Sequence, residues 1–68
     1  MNTEALRNTT ARTIAAGSLA ATEGRHDEAR ECVDGALLGL VTLGAQGVQA
    51  LDLVERVARL EDRLTDQG

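Results

Sequence analysis

Apolar residues along this chain recur every three or four positions, the spacing of helices packed on one face. No segment alternates polar and apolar convincingly, so the pattern predicts helices and no strand. The first helix is expected from about Thr3 to Thr22, with Asn2 or Thr3 as its N-cap. Leu6, Ile14, Gly17 and Ala21 fall roughly on one face. That face is weakly apolar but flat, which permits close approach of another helix.

Proline is absent, so glycine punctuates the chain. Gly24 fits the left-handed position that ends a helix, and Asp27 then reads as the N-cap of a second helix with Glu28 in its first turn. On that helix Ala29, Cys32, Val33, Ala36, Leu37, Leu40, Val41 and Leu43 cover about half the circumference, with Leu38 outside the arc. A helix this apolar is expected to be covered on more than one side and to lie at the centre. Gly35 and Gly39, four apart, mark either close approach of a neighbour or a tolerated cost.

Gly44-Ala45-Gln46-Gly47 reads as a turn, the alternative being one kinked helix from Asp27 to about Thr65. The third helix, about Gly47 to Thr65, carries two apolar rows. Val48, Leu51, Val54 and Ala58 form one. Leu53, Val57, Leu60 and Leu64 form the other, with the 4-3-4 spacing of a coiled-coil seam. Two rows exceed what one short hairpin covers, so this seam is expected in an interface with a second copy. Packing within one chain is the competing use.

The expected architecture is therefore all-α: a helical hairpin plus a third C-terminal helix in one domain, residues 1–68. At 68 residues the chain lies near the lower limit for a core that stands alone. It has no aromatic residue, so ten Leu, five Val, one Ile and eleven Ala must supply that core. Self-association is the usual remedy for so small a scaffold, and a homo-oligomer is expected.

The net charge is −4 and all seven basic residues are Arg. An acidic chain without aromatics is poorly suited to nucleic acid. A lone cysteine, Cys32, excludes an intrachain disulfide and fits a reducing, cytoplasmic setting. The N-terminus lacks the pattern of a signal peptide. The apolar stretch Ala36–Val54 is interrupted by Gln46, Gln49 and Asp52, so it reads as soluble helices and not as a membrane span. The Ala- and Arg-rich, Lys-free composition points to a bacterial or phage origin.

Gly17, Gly24 and Ala29, followed by Val33, Ala36 and Leu37, are spaced as in one tetratricopeptide repeat, and residues from about 9 to 40 resemble that family. In the family a small residue lets the second helix approach, a glycine closes the first helix, and an alanine sits at the crossing. His26 stands where an aromatic is common. The chain departs from the pattern in having alanines in place of the large aromatics and no closing proline. The resemblance implies a helical hairpin of the kind that binds other helices. A single unit cannot form a peptide-binding superhelix, which needs about three.

Residues able to do chemistry are sparse. His26 lies beside Asp27, with Glu23 and Glu28 near, but shows no repeated ligand spacing. Cys32 has no histidine partner to activate it and reads as an inert buried thiol. Arg56, Arg59 and Arg63 form a stripe, with Asp52 and Glu55 placed to neutralise Arg56 and Arg59 at i,i+4. No catalytic, cofactor-binding or metal site is expected. The sequence reads as a non-enzymatic interaction protein that self-associates and docks on a larger partner. The alternatives are a small regulatory or inhibitory protein, of phage type or a nucleic-acid-linked accessory factor, or a non-catalytic subunit of an enzyme complex.

Overall fold

The computed structural model describes residues 2–67, which form three helices in sequence: α1 (Thr3–Thr22), α2 (His26–Ala45) and α3 (Leu51–Gln67). No strand occurs among the described residues. The all-α architecture of a hairpin plus a C-terminal helix is thus observed. None of the helices is long and apolar enough to cross a membrane.

Helix α1 begins where Asn2 accepts a hydrogen bond from the Glu4 amide at 2.9 Å, satisfying one of the unpaired donors of the first turn. It ends at a double closure. Gly24 takes φ +79°, its amide donates to the Ala21 carbonyl at 3.2 Å, and the Arg25 amide donates to Ala20 at 2.8 Å. This is the Schellman arrangement, which a side chain at the left-handed residue resists. Space around Gly24 is open, so any penalty there is conformational. Gly24→Val is expected to cost about 1–3 kcal/mol, lowering Tm by several degrees in a domain this small. An unchanged thermal melt would contradict this account of the turn.

Helix α2 starts one residue before the expected cap. Its N-cap is Arg25, with no side-chain hydrogen bond, and Asp27 lies inside the first turn. Asp27 and Glu28 there complement the positive end of the helix dipole. Arg25 is held by ion pairs to Glu23 and Glu28. The helix ends by the same device as α1. Gly47 has φ +79°, the Val48 amide donates to Leu43 at 2.9 Å, and the Gly47 amide donates to Gly44 at 3.0 Å. One continuous kinked helix is therefore not formed. Helix α3 starts at Leu51, later than expected, because Gly47 closes α2 first. The Ala50 carbonyl accepts from the Leu53 and Val54 amides, both at 3.0 Å.

The hairpin packs tightly because small residues line it. Ala29 and Ala36 are fully buried. A Cβ on Gly17 would lie 2.8 Å from Leu60 Cδ2 and 2.9 Å from Cys32 Cβ. A Cβ on Gly39 would collide with the Thr10 hydroxyl. That hydroxyl is buried but satisfied, donating to the Leu6 carbonyl at 2.9 Å. Helix α3 packs against both α1 and α2, and Ile14, Leu43, Leu53, Val57 and Leu60 fill the space between them.

The expectation that α2 lies at the centre is corrected. Leu37, Leu38 and Val41 are 40%, 69% and 69% exposed. Contact with α1 runs through Ala29, Ala36 and Gly39, and a close-packed small-residue seam does not reach bulky positions at the edge of the arc. Cys32 is likewise half-buried, not enclosed.

Candidate interaction surface

Helix α3 sorts its residues cleanly by direction. Leu53, Val57, Leu60 and Leu64 point into the core and are only 1–4% exposed. The seam expected at an interface between copies is therefore covered within one chain. One flank of α3 faces α1. Asp52 accepts from Arg7 in a two-point ion pair, with Nη1–Oδ1 at 3.2 Å, and Arg63 donates to the Thr22 hydroxyl at 3.0 Å. The pair holds the Asp52 carboxyl below the usual carboxylate range and raises the Arg7 guanidinium, chiefly through their shared hydrogen bond. Asp52 is thus committed to Arg7, and the expected i,i+4 pairs to Arg56 and Arg59 are not formed among the described residues.

The other flank of α3 faces α2. Glu61, Leu64 and Thr65 share an open hollow of about 250 Å³ with Arg30, Val33, Asp34 and Leu37. This sets the register of the two antiparallel helices: the C-terminal half of α3 lies beside the N-terminal half of α2. Moving away from that hollow, α2 presents Val41 one turn beyond Leu37. Helix α3 presents Ala58, Val54 and Leu51, at three, seven and ten residues from Glu61. Leu51 and Val54 are 71% and 47% exposed, and Leu38 widens the α2 edge. Leu37, Val41 and Val54 thus form an apolar strip along the α2/α3 flank, with Leu38 and Leu51 exposed at its outer edges on the far sides of α2 and α3.

The first apolar row read from the sequence, Val48, Leu51, Val54 and Ala58, is therefore split. Val48 packs against the core, whereas the other three are exposed. Leu37 and Val41 belong with them, although their place on the apolar arc predicted burial. At about 100° per residue they stand roughly 80° and 120° from Ala29, the edge of what α1 and α3 can cover.

The remaining candidates stay apart from this surface. His26 is half-buried at the start of α2, beside Arg25, Asp27 and Glu28. Among the described residues no three His, Cys, Asp or Glu side chains are grouped to hold a metal ion. The fold and its surface define a three-helix α-protein with a filled core and an uncovered apolar face. No protein-family model, curated protein or solved structure matches the chain.

Proposed function

We propose that this protein is a non-enzymatic interaction module that docks on a larger protein through the α2/α3 strip. The observation that carries the reading is the exposure of Leu37, Val41 and Val54 on the α2/α3 flank, with Leu38 and Leu51 exposed at its outer edges, while the core is filled without them. Single exposed leucines are ordinary, but contiguous apolar area on a small domain marks a contact site. The resemblance of residues 9–40 to a helix-binding repeat unit favours the same reading, as does a sequence with no nucleophile–base arrangement. A reducing cytoplasmic setting and a bacterial origin belong to the proposal on the sequence grounds given above.

Self-association is the second reading, favoured by the same surplus of apolar surface. It would use the strip, since the Leu53–Leu64 seam is already covered.

Affinity capture from the cell that makes the protein tests the proposal, comparing wild type with a Leu38→Ser, Val41→Ser variant. Both positions are exposed, so the variant should match wild-type stability within about 0.5 kcal/mol. Wild type is expected to retain at least one protein that the folded variant loses. Identical captures by the two would count against the strip as the docking site.

A further inference from the structure

We propose that the occupant of the α2/α3 strip is an amphipathic helix of another protein whose apolar stripe is flanked by arginine or lysine. This rests on the docking role proposed above and goes further by assigning the partner its chemistry. The border of the strip is acidic. Asp34 and Glu61 line its upper end beside Leu37. Glu55 stands four residues from Leu51, and Asp62 four from Ala58, so helical periodicity puts both along its α3 edge. All four carboxylates are exposed, and Arg30 is the one cation in the lining of the hollow, where it stands with Asp34 and Glu61. The apolar floor is therefore bordered by four negative charges against one positive, a net −3.

The cations of α3 lie elsewhere. Arg63 is turned to Thr22 on the α1 side, and Arg56 and Arg59 recur at its helical spacing on that side and the back of the helix. The three arginines of α3 thus lie toward α1 and the back of the helix, with Asp52 paired there to Arg7, while Glu55, Glu61 and Asp62 fall on the side of the strip. A partner helix with leucine-type anchors at i, i+3 or i+4, and i+7 would set them along the flank that carries Leu37, Val41 and Val54. Its flanking basic side chains would then meet Asp34, Glu61, Glu55 and Asp62.

A second copy of this chain fits less well. A two-fold contact presents the same patch on both partners, which sets one acidic border against another.

Three synthetic helical peptides test the inference by fluorescence anisotropy. The first two share one leucine stripe, flanked by Lys and Arg in one and by Glu in the other. The third has the basic composition scrambled so that no stripe remains. The basic amphipathic peptide is expected to bind about tenfold or more tightly than either of the others, with the preference shrinking between about 50 mM and about 0.5 M salt. Val41→Ser with Val54→Ser should abolish its binding, and Glu55→Gln with Glu61→Gln should remove the preference for the basic flanks. Equal binding of the basic and acidic amphipathic peptides, both lost in the valine variant, would overturn the charge selection while leaving the strip as a docking site. Equal binding of the scrambled peptide would overturn the role of the apolar floor, and no binding of any peptide would overturn the inference outright. A wild-type dimer in light scattering that the valine variant converts to monomer would make the second copy the occupant instead.

Discussion

Leu60→Glu is expected to leave the protein without a cooperative unfolding transition. Leu60 is 2% exposed, and its Cδ2 lies where a Cβ on Gly17 would collide with it, at the meeting of all three helices. Truncating such a leucine to alanine typically costs about 2–5 kcal/mol. A buried carboxylate with no partner adds a desolvation penalty to that loss. The whole stability of a small domain is on the order of 5 kcal/mol, so the folded state should be lost. Leu64→Glu, at 4% exposure, should behave in the same way. Circular dichroism melts of the variants, with wild type measured across a wide concentration range, check this. A wild-type Tm independent of concentration, together with collapsed variants, supports packing within one chain. Folded Leu60→Glu monomers from a dimeric wild type would return the seam to an interface between copies.

Gly17→Ala and Gly35→Ala are expected to change stability in opposite directions. Both lie in helices, where replacing glycine with alanine favours folding by about 0.5–1 kcal/mol when space allows. At Gly35 the nearest atom to an added Cβ is Thr13 Cγ2 at 3.6 Å, an ordinary contact, so that gain should appear. At Gly17 the added carbon meets Leu60 Cδ2 at 2.8 Å and Cys32 Cβ at 2.9 Å. Leucine can rotate away, but Cys32 Cβ is fixed to the α2 backbone, and α1 must move off α2. Overpacking of this kind costs about 1–3 kcal/mol and outweighs the helix gain. Gly17→Val, with a branched side chain at the same place, should be worse still. Chemical denaturation of the two alanine variants gives the comparison directly. A stabilised Gly17→Ala protein would show that the helices do not cross where the structure puts them.

Those glycines explain how much of the fold was legible in the sequence. The hairpin was readable because its turn depends on one residue type: Gly24 at positive φ needs no tertiary information to be recognised. The bounds of α1, from the Asn2 cap to Thr22, follow from equally local signals. The start of α2 was not legible in the same way. Asp27 resembles a cap, but the double closure on Gly24 and Arg25 begins the next helix sooner, and the carboxylate serves the dipole instead.

The contact surface was harder to read because periodicity gives direction without depth. Leu37 and Leu40 both lie on the apolar arc, yet Leu40 packs against the core while Leu37 is 40% exposed. What separates them is how α3 lies on α2: Leu37 borders the open hollow with Glu61 and Leu64, and no single-helix pattern contains that gap. The partner of Asp52 was hidden for the same reason. Arg56 is near in sequence, but Arg7 is brought across by the packing of α3 on α1.

The account rests on the division of the apolar residues into a filled core and an open α2/α3 strip. Methyl NMR of the isolated protein with a soluble paramagnetic probe measures that division residue by residue. Methyl signals of Leu38, Val41, Leu51 and Val54 are predicted to relax strongly, while those of Leu43, Leu53, Val57 and Leu60 stay protected. Strip methyls as protected as the core would contradict the account.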